Sequence, residues 1–249
     1  MPNSLDLGTG TEVDLREVLP LPVIARAASL GHWVAENAKT TRAFLKRIGA
    51  ITPLAQPLQA IAITELPKPP KGGGQGRPAA PPDLRALLAP ALAGHDLGLL
   101  SEAGMPAVAD PGAALVQAAH DAGLTVEPLV GPSALLLALA ASGLNGQQFA
   151  FVGYLPVEAA ARAARIRELE GLSRRLQQTQ IAIETPYRNE ALLSALIEQL
   201  QPATRLAVAS GLSLPQARCL AMSVQQWRAQ RPRPELGDRL PAVFSWLAG

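Results

Sequence analysis

Cysteine is almost absent from this chain, because Cys219 is the single one among 249 residues. A lone cysteine excludes an intrachain disulfide, and with only three histidines the sequence offers no metal-ligand cluster. No apolar run approaches the roughly 20 residues of a membrane span, and the N-terminus lacks a charged-then-apolar signal pattern. We therefore expect a cytoplasmic protein that uses no metal and no membrane segment.

An excess of charge of one sign is also lacking, since 22 Lys and Arg stand against 20 Asp and Glu. The net charge of +2 argues neither for nor against a nucleic-acid partner, because a local basic patch is enough to bind one. Aromatic residues make up 4% of the chain and apolar residues 48%, with Ala and Leu dominant. This composition favours a sizeable core of helices packed on sheets.

Strand-like and helix-like segments alternate along the whole chain, which predicts an α/β fold. We predict an N-terminal α/β domain over residues 1–155, with a flexible Pro/Gly-rich insertion at 67–82, and a C-terminal α/β domain over 156–249. The insertion is either a tolerated surface loop or a basic flap. The predicted strands cover 32–35, 61–66, 97–100, 125–130, 149–152, 179–184, 205–209, the region of Cys219, and 242–247; the predicted helices cover 21–30, 40–48 (capped by Thr40 or Thr41 and stopped by Gly49), 83–93, 113–122, a segment opening at 134, 158–175, 190–199, and a short one near Trp227.

The segment S-E-A-G-M-P-A-V-A-D-P-G at 101–112 lies between a predicted strand and a predicted helix. Ligands of open α/β sheets bind at such strand-to-helix loops. Gly104 lets backbone approach a ligand closely, Asp110 is expected to cap the helix, and Pro111 suits its first position. The same features are equally consistent with a well-made turn that has no ligand.

Four further motifs follow in a fixed order: A-E-N-A-K-T-T-R at 35–42, G-P-S-A at 131–134, F-V-G-Y-L-P at 151–156 and E-T-P-Y-R at 184–188. With the loop at 101–112, this series resembles the tetrapyrrole methylase superfamily of S-adenosylmethionine (SAM) methyltransferases. It is most similar to the branch that 2'-O-methylates a cytidine ribose of small-subunit ribosomal RNA, with its A-E-D-T-R-R-T, S-D-A-G-T-P, S-D-P-G, G-P-S-A, G-F-L-P and E-S-P-H-R. The resemblance runs from about Trp33 to about Leu200.

The resemblance implies two α/β domains with SAM in the cleft between them (the class III SAM methyltransferase fold), commonly in a homodimer. It implies transfer of a methyl group to ribosomal RNA of the small subunit. The residues it implies for cofactor binding are Ser101, Ala103, Gly104, Gly131, Pro132, Ser133, Ala134 and Leu155. Ser133 is compatible with capping its helix as well as with binding, since a helix N-terminus favours the carboxylate of SAM.

A ribose hydroxyl is a poor nucleophile, so its methylation needs a base or strong orientation of the hydroxyl. The matched motifs offer Glu36, Glu102, Glu184 and Arg188 for this catalytic role. Glu184 and Arg188 lie four residues apart where a strand turns into a helix, so they either pair with each other or leave Arg188 to hold a phosphate.

The chain departs from the branch at several polar positions: Asn37, Glu102, Met105 and Tyr187 replace Asp, Asp, Thr and His, and 210–214 lack the charges of R-E-L-T-K. The residues before 6 leave no room for the branch's first strand, which predicts either a late recorded start or a rebuilt strand. Two rival hypotheses follow: a non-catalytic paralogue that binds RNA or a nucleotide, and a methyltransferase with a tetrapyrrole-like substrate. A-E-N, S-E-A-G and E-T-P-Y-R speak against the tetrapyrrole substrate.

Residues 5–11, L-D-L-G-T-G-T, resemble the first SAM motif of the unrelated class I methyltransferases. That motif needs a strand before it and a helix after it. Neither is predicted here, so we expect an irregular loop instead.

Overall fold

The computed structural model describes residues 1–6, 8–67, 84–232 and 240–249. The predicted insertion at 67–82 lies, apart from Pro67, outside the described residues. Nine α-helices are described: α1 Leu15–Val18, α2 Leu21–Ser29, α3 Ala38–Ile51, α4 Ala89–Leu92, α5 Ala113–Asp121, α6 Ala134–Ser142, α7 Ala159–Leu176, α8 Asn189–Gln199 and α9 Val224–Ala229. Eight strands are described: β1 His32–Ala35, β2 Ala62–Glu65, β3 Leu97–Leu100, β4 Phe149–Gly153, β5 Thr179–Glu184, β6 Arg205–Ser210, β7 Arg218–Ser223 and β8 Ala242–Leu247. Among these residues, no helix has the length and apolar character needed to cross a membrane.

The described residues divide into two compact units, and the first comprises residues 1–4 and 14–132. Its sheet is parallel, with strand order β2-β1-β3. Trp33 on β1 is 1% exposed and lies across Gly98 of β3, where an added Cβ would come within 2.6 Å of its ring. The packing of this large ring therefore requires a glycine at position 98.

Helix α3 corrects two predictions about its ends. Its N-cap is Asn37, whose Oδ1 accepts hydrogen bonds from the backbone N–H groups of Lys39 (2.9 Å) and Thr40 (3.3 Å). Neither Thr40 nor Thr41 is the cap, because both hydroxyls donate to the Asn37 carbonyl instead. The predicted stop, Gly49, lies inside the helix, which continues to Ile51.

Two more helix predictions are corrected in the first unit. Residues 84–92 form a 3-10 turn, Leu84–Leu88, followed by the short α4, rather than one helix from 83 to 93. Pro90 lacks the N–H that a continuous helix needs at that point. The N-cap of α5 is Gly112, at φ +128°, and not Asp110, because the chain takes a left-handed step after Pro111.

The predicted strand at 125–130 is wrong, since these residues pair with no strand in the described part of the chain. A cavity of about 610 Å³ separates residues 124–129 from the free edge of β3, and residues 105–108 line it as well. Leu124 and Val126 nevertheless pack against the core. The alternation of apolar residues therefore reflects burial of an extended segment without a hydrogen-bonded neighbour.

The second unit comprises residues 5–13 and 133–249, and its sheet has the order β4-β5-β8-β6-β7. Strands β4 and β5 are parallel and the other neighbours are antiparallel. Its largest buried side chains are Trp227, Phe244 and Trp246. Residues 133–155 belong to this unit for two reasons: α6 packs on strands β6 and β8, and β4 pairs with β5. The boundary at 155–156 between two α/β domains remains a prediction.

The described residues of 5–13 form turns, with Gly8 and Gly10 at positive φ and no strand or helix. Asp6 Oδ2 accepts a hydrogen bond from Val13 N (3.0 Å), which closes this loop on itself. The expected irregular loop is therefore what these residues form.

Candidate functional site

The carboxyl ends of β1 and β3 meet at one edge of the first unit's sheet because the two strands are parallel. Glu36 follows β1, and its Oε2 accepts a hydrogen bond from the backbone N–H of Glu102, which follows β3 (3.2 Å). Thr40 Oγ1 donates to Glu102 Oε1 (3.4 Å). The structure therefore brings Glu36 together with the start of the loop at 101–112, which contains the predicted site residues Ser101, Ala103 and Gly104.

The loop at 101–112 has an unusual backbone. Two alanines, Ala107 (φ +66°) and Ala109 (φ +64°), adopt the left-handed region, as do Gly104 (φ +67°) and Gly112 (φ +128°). For a residue with a Cβ this conformation costs about 1–2 kcal/mol. Strain of this kind concentrates at ligand sites, which favours a binding role over a plain turn.

Asn3 anchors this loop, a role that no motif in the sequence indicates. Its side chain is buried, and Nδ2 donates to the carbonyls of Ser101 (3.2 Å) and Glu102 (3.1 Å). Its backbone N–H donates to the Gly104 carbonyl (2.8 Å). Gly104 is thus paired through its backbone, and its positive φ is what requires glycine there.

Asp110 is a second residue that the sequence did not single out for a site. Burial, then the negative charge of Glu36, raise the pKa of its carboxyl from 3.8 to about 6; Glu102 adds to the rise, and the Ser101 hydroxyl opposes it. Asp110 therefore lies among the carboxylates at this edge and titrates close to neutrality. In the described part of the chain, no three His, Cys, Asp or Glu side chains are arranged to hold a metal ion.

Gly131 and Pro132 end the first unit. A Cβ on Gly131 would lie 2.3 Å from Cβ of Pro2, so the glycine is required by the close approach of the N-terminal residues. Ser133 is the N-cap of α6 by position, with an extended backbone, but its side chain makes no capping hydrogen bond. Of the two roles left open for Ser133, side-chain capping is therefore not made, and the first N–H groups of α6, starting at Ala134, have no acceptor from that side chain.

Leu155, Glu184 and Arg188 lie in the second unit. Leu155 is 3% exposed as a whole residue and belongs to that unit's core. Arg188 Nη2 lies 2.8 Å from Glu184 Oε2, and the Glu184 side chain is 1% exposed. Thr185 N also donates to Glu184 Oε1 (2.8 Å). The structure thus shows the internal ion pair, one of the two alternatives left open for these residues.

A parallel sheet in which β3 leads into a glycine-containing, strained loop is typical of α/β proteins that bind ligands. The family model for tetrapyrrole (corrin/porphyrin) methylases matches residues 71–227, and the chain belongs to this family. The family resemblance and the predicted α/β fold are therefore confirmed.

Curated relatives and solved structures agree with this assignment. The chain is similar to "Ribosomal RNA small subunit methyltransferase I" of Mesorhizobium japonicum, at 39% identity over 51% of this chain and 42% of that protein. It is also similar to the protein of the same name in Pseudomonas aeruginosa, at 33% identity over 62% of this chain and 55% of that one. The matches thus span about half the length of these relatives. The methyltransferase CobJ shares the fold, with a TM-score of 0.55 at 16% identity and 94% coverage of both chains.

Proposed function

We propose that this protein is a SAM-dependent methyltransferase that methylates a ribose 2'-hydroxyl in small-subunit ribosomal RNA. The observation that carries the proposal is the similarity to two ribosomal RNA small subunit methyltransferases I. The strained loop at 101–112 and the carboxylates beside it supply a binding surface and a proton acceptor.

The residues present fit SAM in two respects. The start of α6 offers N–H groups without a side-chain acceptor, and these suit the carboxylate of the methionine part. The small side chains of Ser101, Ala103 and Gly104 leave room for a ligand close to the backbone. When bound, SAM supplies an electrophilic methyl group on a sulfonium, and the protein positions the acceptor hydroxyl for in-line displacement.

Ala134→Pro tests the contribution of the helix start. Residue 134 is the first residue of α6 and follows an extended Ser133 (φ −130°, ψ 119°), so proline is tolerated there and removes one N–H. We expect SAM affinity, measured by isothermal titration, to fall by about tenfold, since a charged hydrogen bond is worth about 1.5–3 kcal/mol.

Ala159→Pro is the matched control, because residue 159 is the first residue of α7 and follows an extended Glu158. Glu158 caps the N–H groups of Ala160 and Ala161 and not that of Ala159. Equal SAM affinity of the two proline variants would contradict a carboxylate site at α6.

The proton of the ribose hydroxyl needs an acceptor, and a base works best when its pKa lies near the working pH. Asp110, with a pKa of about 6, meets that condition, and Glu36 lies beside it. Glu184 is buried and ion-paired, which favours a structural role. Asp110→Asn and Glu36→Gln are expected to lower transfer by about 10²-fold or more while SAM affinity stays within a few-fold.

Methyl transfer is tested with tritiated SAM and small ribosomal subunits or their deproteinised RNA. The expected product is label in a dinucleotide resistant to alkali, since a 2'-O-methyl group blocks cleavage of the adjacent phosphodiester. SAM binding without label would favour a non-catalytic paralogue, and label in a tetrapyrrole instead of RNA would favour the other rival. The homodimer and the cytoplasmic location implied above are part of this proposal, and light scattering of the purified protein tests the dimer.

A further inference from the structure

Both tyrosines of the chain lie at one edge of the second unit's sheet. Strands β4 and β5 are parallel neighbours, so their carboxyl ends lie at the same edge of the sheet. Gly153 at the end of β4 pairs with Ala182, and β5 continues two residues further, to Glu184. Tyr154 directly follows β4, and Tyr187 follows β5 by three residues. Tyr154 is 58% exposed and Tyr187 94% exposed. Two exposed aromatic residues thus follow neighbouring strands at one edge of this sheet.

The turn that carries Tyr187 is held on both sides. Before it, Thr185 N donates to Glu184 Oε1 (2.8 Å), and after it Arg188 pairs with Glu184 Oε2 (2.8 Å). The next residue, Asn189, is buried and donates through Nδ2 to the Leu240 carbonyl (2.8 Å). The ring is therefore presented by a fixed backbone, so a flat partner can bind it with little loss of conformational entropy.

Two arginines lie at the same edge of the sheet as the tyrosines. The Arg188 side chain is 32% exposed beside Tyr187. Arg218 is exposed and is the first residue of β7. It is level with Glu184 across the sheet, because Glu184 pairs with Ala242, Ala242 with Ser210, and Ser210 with Arg218. Three strand spacings place it about 14 Å along the edge from β5.

The carboxylates at this edge leave little net positive charge. Glu184 is neutralised by Arg188, and Glu158 accepts from the first N–H groups of α7. Glu190 lies in the first turn of α8. The edge therefore relies on aromatic rings more than on charge.

We propose that Tyr154 and Tyr187, with Arg188 and Arg218 at the same edge of the sheet, form a platform on which unpaired RNA bases stack. Exposed aromatic side chains with neighbouring arginines are the usual means of binding single-stranded nucleic acid without regard to sequence. The proposal rests on the proposed function, because it names how that enzyme holds its RNA.

The test uses the full chain and a single-stranded RNA of about 12 nucleotides with one 2-aminopurine, whose fluorescence is quenched by stacking. The wild-type protein is expected to bind and to quench. Tyr187→Leu and Tyr154→Leu should each weaken binding by about fivefold or more, the equivalent of one lost base stack. Tyr187→Phe should retain both affinity and quenching, since the ring remains.

Phe149→Leu is the matched control, because Phe149 is 41% exposed at the opposite end of β4. The loss in Tyr187→Leu should be the same at low and high salt, since stacking involves no ion release. Arg218→Gln should lower the slope of log affinity against log salt by about one. Arg175→Gln, in the last turn of α7, should not change it.

Absence of RNA binding by the wild-type protein, or equal affinity of Tyr187→Leu and Phe149→Leu, would overturn the platform. The platform would also be refuted if the leucine variants bound intact ribosomal subunits weakly but bound protein-free RNA normally, since the partner would then be a protein surface. Labelling by tritiated SAM is scored separately. If labelling occurs and the leucine variants bind RNA normally, the platform is refuted and the proposed function is supported. If bases stack on the protein but no labelling occurs, the platform is supported and the proposed function is refuted.

Discussion

Replacing Asp110 with asparagine should stabilise the protein at neutral pH. Burial and the nearby Glu36 hold the pKa of Asp110 at about 6 instead of 3.8, so the folded chain binds more protons than the unfolded chain between these pH values. The free energy of unfolding therefore falls as pH rises through this window. The full pKa difference is worth about 3 kcal/mol, and partial solvent exposure reduces the expected contribution to about 1 kcal/mol.

Asparagine keeps the shape of the side chain and removes the charge. We expect Asp110→Asn and the parent chain to unfold at similar urea concentrations at about pH 4, and the variant to be about 1 kcal/mol more stable at about pH 7.5. Hydrogen exchange of the β1 and β3 amides assigns the change to the first unit. The same variant is expected to lose methyl transfer, a gain in stability with a loss in activity that is typical of active-site groups.

Asp121→Asn serves as the control, because Asp121 is exposed in the last turn of α5 and accepts a hydrogen bond from Gln117. This exposed substitution should change the free energy of unfolding by no more than about 0.5 kcal/mol. A variant at position 110 that is no more stable than the parent at pH 7.5, or whose gain is equal at both pH values, would refute the reasoning.

Two further substitutions test packing and the buried ion pair. Gly131→Ala places a Cβ 2.3 Å from that of Pro2 and should cost about 2 kcal/mol in urea unfolding; most of that loss should disappear when Pro2→Gly is added, and persistence of the full loss would contradict the contact. Arg188→Met leaves the buried Glu184 carboxylate without its partner and should cost about 3 kcal/mol. Adding Glu184→Gln should restore most of that stability, and a double variant no more stable than Arg188→Met would show that the ion pair is not the cause.

The amino-acid sequence by itself determined the helices and strands that a short stretch of neighbouring residues specifies. Strands β5 (179–184) and β8 (242–247) were predicted with their observed bounds because short segments centred on apolar residues predict buried strands. The helix at 158–175 was also predicted within one residue at each end of α7. The motif series identified the family, because the motifs and their order are visible in the linear sequence.

Tertiary structure alone decided features that depend on residues distant in sequence. Residues 125–130 have a strand-like pattern but no strand beside them, because a strand exists only through pairing. Asn3 anchors a loop about a hundred residues away, and the pKa of Asp110 depends on Glu36. The strain at Ala107 and Ala109 is likewise imposed from outside, since alanine does not itself favour positive φ. Helix and strand propensities depend on residues that are neighbours in the sequence, whereas strand pairing, desolvation and the proximity of charges arise only when the chain has folded.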